Sequence, residues 1–270
     1  EILEKAKTAQ YPVRSGRKII SILAALLISG FYLLFTILAE TFNFTTKSKF
    51  DFKNTLDLPL IGNLPDKDQV SEKVFYTQFQ ILYNKLKETR DKKNTIFSFS
   101  SDIRKTGKTF VIQELMEFFS EHNHKVLHIK PIEAHSSHEK SINNINDHIL
   151  NKTTNSPLPT KKLNDNYYIS YFSIDNSLLK TTITKDTIQA FTNKLSDFDY
   201  IFWELPKFSF NIQLTLNIAL LSDILIIVTR FKKSRVSSLL KTIKFLNEHN
   251  IKKIAGILNY VDKDYLQQNF

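Results

Sequence analysis

Gly107, Lys108 and Thr109, consecutive in the chain, are the residues here best equipped for chemistry. In that order they make the closing half of a phosphate-binding loop, G-x-x-x-x-G-K-[ST]. Such a loop aims backbone N–H groups and a helix N-terminus at one anion. Lys108 would neutralise phosphate charge, and Thr109 would ligate Mg²⁺. The opening half departs from the pattern. Asp102 holds the first glycine position, and Lys105 stands where a second glycine often permits close backbone approach. The segment therefore also reads as an ordinary strand-to-helix turn with a surface lysine. Glu204 is the second chemical group, a carboxylate closing the apolar run 200–204 just before Pro206. The carboxyl ends of strands are where open α/β sheets gather their ligand groups. His135, His138 and His148 lack the supporting carboxylates of a metal site and read as surface residues.

The elements that must hold these groups are legible as alternating apolar patterns. Residues 94–99 are rich in β-branched and aromatic side chains and predict a core strand. After Thr109, the apolar residues Val111, Ile112, Leu115, Met116 and Phe119 recur at helical spacing. Further strands are expected at 58–65, 125–130, 167–174, 200–204, 224–229 and 253–258. Helices are expected from about 75 to 90, 185 to 195 and 234 to 249. Strands alternating with helices predict an α/β fold, a parallel sheet with helices on both faces.

Residues 19–39 carry no charge and, at about 1.5 Å per residue, span a hydrocarbon core of about 30 Å. They predict one transmembrane helix ahead of the α/β domain. The run is too long for a signal peptide and lacks a cleavage site after it. The expected division is a stalk end at 1–18, the span at 19–39, a juxtamembrane linker at 40–74 and a globular domain at 75–270. Met116 is the only methionine, so further chain upstream of Glu1 is expected. With 37 basic and 27 acidic residues the net charge is +10, much of it near the span, which favours anionic lipid as a partner over nucleic acid. No nucleic-acid module is recognisable. There is no cysteine, which excludes disulfides and thiol chemistry. Flanking charge gives a conflict: Lys5, Lys7, Arg14, Arg17 and Lys18 outnumber Lys47, Lys49 and Lys53, which would place residue 1 in the cytoplasm. A nucleotide-type domain after the span requires the opposite orientation, and that requirement is given precedence.

The order of parts resembles the second half of the bacterial polysaccharide co-polymerase and tyrosine autokinase (BY-kinase) family. The resemblance covers nearly the whole chain. Residues 58–65, LPLIGNLP, are similar to that family's linker strand before its kinase domain. Gly107-Lys108-Thr109 match the end of its P-loop, residues 198–206 its Walker B strand, residues 222–230 a later strand and residues 256–259 the strand whose asparagine lies near the base. The resemblance implies a partition-ATPase type of P-loop fold, with ATP or ADP and Mg²⁺ as cofactors. By it Lys108 and Gly107 would bind phosphate, Thr109 and Glu204 would hold Mg²⁺, Glu204 would be catalytic and Asn259 would lie at the base. Tyr260 and Tyr265 are what remains of the C-terminal tyrosine cluster that such kinases phosphorylate. The implied setting is the bacterial inner (cytoplasmic) membrane, with residues 1–18 outside and 40–270 facing the cytoplasm. The implied partners are polysaccharide export and polymerisation proteins and further copies of the chain.

The departures fall on the metal site. Where the family carries two aspartates on the strand after the P-loop helix, this chain has Lys130 and Ile132. Glu204 replaces an aspartate, and Thr77 and Gln80 replace a glutamate and an arginine used in ring assembly. Phosphoryl transfer relies on positioned metal and charge, so these changes predict a degenerate, kinase-like scaffold. Two alternatives compete with it. One is an active tyrosine autokinase using Lys108, Thr109 and Glu204. The other is a membrane-associated partition-type ATPase, which the span at 19–39 argues against; its early loop lysine has no clear match, although Arg104 lies nearby.

Overall fold

Apolar runs of β-branched and aromatic residues become the interior of a sheet because both of their faces can be covered. The computed structural model describes residues 17–42, 44–89, 93–132, 145, 158–173, 191–210 and 212–267. The expected stalk end before residue 17, the three histidines His135, His138 and His148, and the first part of the helix expected at 185–195 lie outside the described residues.

The chain divides into two units, one up to Phe44 and one from Thr45 to Phe270. The first contains α1 (Arg17–Phe42). Its segment Lys18–Ala39 has a mean hydropathy of 2.5. At about 1.5 Å rise, its 22 residues reach about 33 Å, enough by length and composition to cross a membrane.

The second unit is the α/β domain that the alternating pattern predicts. Its elements are β1 (Leu60–Pro65), α2 (Glu72–Glu88), β2 (Thr95–Ser101), α3 (Lys108–Glu121), β3 (Val126–Ile132), β4 (Lys161–Lys162), β5 (Tyr167–Ser173), β6 (Tyr200–Glu204), α4 (Ile212–Ala219), β7 (Ile224–Arg230), α5 (Val236–Glu248), β8 (Ile254–Val261) and α6 (Lys263–Gln267). The sheet order is β1-β8-β7-β2-β6-β3-β5-β4. Every pairing is parallel except β4 with β5. Successive side chains of β6 go to opposite faces, as strand geometry demands. Tyr200 and Phe202 join the core under α2 and α3, with Phe79, Leu82, Leu115 and Phe119. Ile201 and Trp203 join the core under α4 and α5, with Leu216, Leu239 and Ile243. Helix α4 has no counterpart among the expected elements; eight residues are too few for a clear helical period, and most of them are buried.

The segment expected to be a linker, 40–74, is largely part of the domain, which begins at Thr45. Three contacts build it in. Thr46 donates its N–H to the carbonyl of Ser234 (2.8 Å) and accepts that of Lys232 (2.9 Å). A π-helical turn, Asp51–Thr55, carries Phe52 into the core with no exposure at all. β1 then extends the sheet as its edge strand, alongside β8. The Phe52 ring lies where a Cβ on Gly256 would stand, so β8 needs a glycine there. Hydrophobic burial is thus the reason a polar-looking linker docks.

Phe52→Ala therefore lowers the unfolding free energy of the full chain by about 3–5 kcal/mol, as for other buried phenylalanines. Denaturant unfolding checks it. A change near zero would mean that residues 45–59 are a passive tether.

Candidate functional site

The chemistry predicted from the sequence converges at the carboxyl ends of β2, β6, β7 and β8. β2 and β6 are adjacent, with Phe99 opposite Glu204. Beyond Glu204 the chain is clamped to β2. The Leu205 N–H reaches the Phe99 carbonyl (2.8 Å), Phe208 N–H the Ser101 carbonyl (3.0 Å), and Ser100 Oγ the Pro206 carbonyl (2.8 Å).

The loop between β2 and α3 turns on Gly107, whose φ of +78° is left-handed. A side chain there would collide with Asn259 and Tyr260. Lys105 also sits at positive φ, 59°, where the sequence pattern leads one to expect glycine. Asp102, at the other expected glycine, accepts the Ser234 hydroxyl at its Oδ1 (2.8 Å). Its Oδ2 is buried with no partner. Burial pushes the Asp102 carboxyl above its ordinary range, the Ser234 bond pulling partly back. The loop is thus tied to the β7–α5 turn by a carboxyl group where phosphate loops have a bare backbone.

Lys108 and Thr109, the first residues of α3, both turn to the end of β6. Lys108 Nζ donates to the Leu205 carbonyl. Thr109 Oγ1 donates to Glu204 Oε1 (2.5 Å). The other oxygen, Oε2, is 3.2 Å from Nε2 of His128, a residue of β3 with no exposure. Burial pushes the Glu204 carboxyl up, but His128, the Lys108 charge and Thr109 together outweigh it and hold it below the usual range. His128 is the functional residue that sequence reasoning missed. Its one signal was a titratable side chain inside an apolar strand.

Of the remaining expected site residues, Asn259 and Tyr260 adjoin this centre and Tyr265 does not. Asn259 is buried and donates its amide to the Thr106 carbonyl (2.8 Å), so it props the loop from behind. Tyr260 lines the cleft, its ring 4.4 Å under the Arg230 guanidinium. Arg230 also donates to the Lys105 carbonyl (3.0 Å). Tyr265, in α6, packs on Phe231 (ring centroids 5.4 Å apart), and its hydroxyl accepts the Lys49 N–H (3.3 Å).

Gly107, Lys108, Thr109, Glu204, Arg230 and Tyr260 are among the residues that line a cleft of about 650 Å³. Five lysine and arginine side chains line it, Arg104, Lys105, Lys108, Lys207 and Arg230, against one carboxylate, Glu204. A loop of N–H groups with that charge fits a phosphate-bearing ligand. The donor set fits Mg²⁺ poorly. Mg²⁺ demands near-octahedral oxygen ligands, whereas among the described residues Glu204 is the one carboxylate lining the cleft and β3 offers Lys130 and Ile132. Drawing Glu204 onto a metal would strip His128 of its one bond, since its Nδ1 already has no partner. Each buried polar group left unsatisfied costs about 1–3 kcal/mol. Among the described residues no group of three metal-ligating side chains exists.

Burial lowers the Lys108 ammonium from its ordinary 10.5 to about 8, the Glu204 carboxylate opposing the shift. Between those values the unfolded chain holds a proton that the folded chain has released. The Lys108 contribution to stability accordingly rises with pH from about 8 to 10.5. Denaturation of wild type and Lys108→Met at about pH 7 and about pH 9.5 should show the wild type gaining on the variant. Parallel behaviour would refute the depressed pKa.

No protein-family model and no curated protein sequence matches this chain. Solved structures do. The kinase domain of the Escherichia coli tyrosine kinase ETK aligns with a TM-score of 0.65 at 12% identity, covering 81% of this chain and 96% of that one. The BceF tyrosine kinase domain aligns at 0.64 and 14% identity, covering 80% and 99%. The chimerical protein CapA2B2 aligns at 0.62 and 13% identity, covering 80% and 100%. At these identities the likeness is one of fold: the α/β unit of this chain has the fold of the bacterial tyrosine kinase domains.

Proposed function

We propose that this chain is an inner-membrane component of exopolysaccharide or capsule export whose kinase-like domain binds nucleotide as a scaffold or regulator and does not transfer phosphate. The observation that carries the reading is a BY-kinase fold with its phosphate loop in place and its metal site rebuilt. Lys108 and Thr109 keep their positions at the start of α3, and Glu204 keeps the end of β6. The carboxylates expected on β3 are Lys130 and Ile132. Phosphoryl transfer needs a metal bridging the β- and γ-oxygens and a group to receive the substrate proton. A lysine at the metal's edge supplies neither.

Helix α1 supports attachment to a membrane, with the α/β unit on the cytoplasmic side where nucleotide is found. In this reading the partners are export and polymerisation proteins and further copies of the chain. The domain's contribution is a shape whose cleft is ordered by a bound nucleotide, and Lys108 anchors that nucleotide's phosphates.

The test uses the full chain in detergent, incubated with ATP and Mg²⁺ and probed for phosphotyrosine. No signal is expected, while calorimetry detects ADP binding that Lys108→Ala abolishes. Autophosphorylation at Tyr260 or Tyr265, lost in Lys108→Met, would establish an active kinase instead. Polymer export unchanged by loss of the whole chain would remove it from that process.

A further inference from the structure

The cleft holds its own counter-charge. We infer that it takes a nucleoside polyphosphate as the free anion, with lysine and arginine side chains in the place of a divalent cation. The inference rests on the reading of the cleft as a nucleotide site and narrows it to a ligand species.

Glu204 shows why a metal is not the partner of the phosphates here. Its Oε1 receives the Thr109 hydroxyl and its Oε2 faces His128 Nε2. The two groups that a P-loop offers to Mg²⁺ are bonded to each other, and among the described residues no second carboxylate lines the cleft to complete an oxygen set. The third member of the chain, His128, is buried on β3, and its Nδ1 has no partner. The carboxylate is thus held by the interior network, and the rest of the charged lining is cationic.

The cations are disposed differently. Arg104, Lys105 and Lys207 line the cleft with no acidic partner among the described residues. Arg230 is held in the cleft wall by the Tyr260 ring and the Lys105 carbonyl. They come from different places in the fold. Arg104 and Lys105 are on the loop before α3, Lys207 on the segment after β6, and Arg230 at the end of β7. Side chains from those positions face one another across the space that the Gly107 loop opens onto. A polyphosphate there meets charge on several sides, which is the geometric service that Mg²⁺ performs elsewhere. A bound Mg²⁺ would add two further positive charges to a wall that already carries an excess of them.

Calorimetry on the full chain in detergent decides it, with ATP, ADP and inorganic tripolyphosphate as probes, each in excess EDTA and in excess Mg²⁺. Affinity for ATP in EDTA is expected to equal or exceed that in Mg²⁺. Lys207→Gln and Arg230→Gln should each weaken it roughly tenfold, the loss of a charge-assisted bond. Lys252→Gln, a surface cation away from the cleft, should leave it unchanged. ATP binding that requires Mg²⁺ would overturn the inference and leave the nucleotide reading standing. Tripolyphosphate binding in EDTA without ATP binding would uphold the cation-lined anion site and refute the nucleotide reading. Equal weakening by Lys252→Gln, or no anion bound in EDTA, would overturn the inference.

Discussion

One buried carboxylate organises the functional end of this domain. Glu204 terminates β6, and its two oxygens and its charge connect three elements: Thr109 and Lys108 from α3, and His128 from β3. A lone ionised carboxyl in such a place would be strongly disfavoured. Here two hydrogen bonds and a neighbouring ammonium stabilise it. The same network fixes where α3 starts, because its first two residues both turn to the end of β6. The phosphate loop is positioned by what lies beneath it as much as by its own residues.

A second chain of contacts reaches the loop from the other side. Ser234 accepts the Arg230 N–H at its hydroxyl oxygen (2.9 Å) and donates that hydroxyl to Asp102 (2.8 Å). The carbonyl of Ser234 is held by Thr46, the second residue of the α/β unit. The strand-like entry into the domain, the β7–α5 turn and the phosphate loop therefore share one set of hydrogen bonds. Asp102 replaces a glycine in the loop pattern, and its burial is tolerated because this turn supplies a donor. A bare backbone would leave Ser234 without that acceptor.

The parts legible in the sequence are those written locally. Seven strand runs, the α3 periodicity and the Gly107-Lys108-Thr109 triplet each declare themselves within a few residues. Glu204 was legible too, since an acid at the end of a buried run marks the ligand edge of a parallel sheet. What stayed hidden depends on partners far along the chain. His128 meets Glu204 across 76 residues, and Ser234 meets Asp102 across 132. Phe52 looked like part of a charged linker because its complement is Gly256, an absence of side chain on β8. Asn259 was expected near the base through the family resemblance alone. Its neighbour in space is the Thr106 carbonyl, which no spacing rule identifies.

The loss of the β3 carboxylates and the survival of the fold are compatible for a physical reason. The two cores lie on the faces of the sheet and draw on apolar side chains such as Phe202 and Trp203, while the chemistry sits at the carboxyl edge. Lys130 and Ile132 are only partly buried, so those positions can change without unfolding the domain. Unpaired charge is the exception, because a buried carboxylate left without partners is destabilising wherever it sits. Removing acids from β3 while keeping Glu204 therefore required new partners for Glu204, and His128 on the same strand is one. Glu204 is satisfied from within the protein by His128 on β3 and by Thr109 and the Lys108 charge from α3.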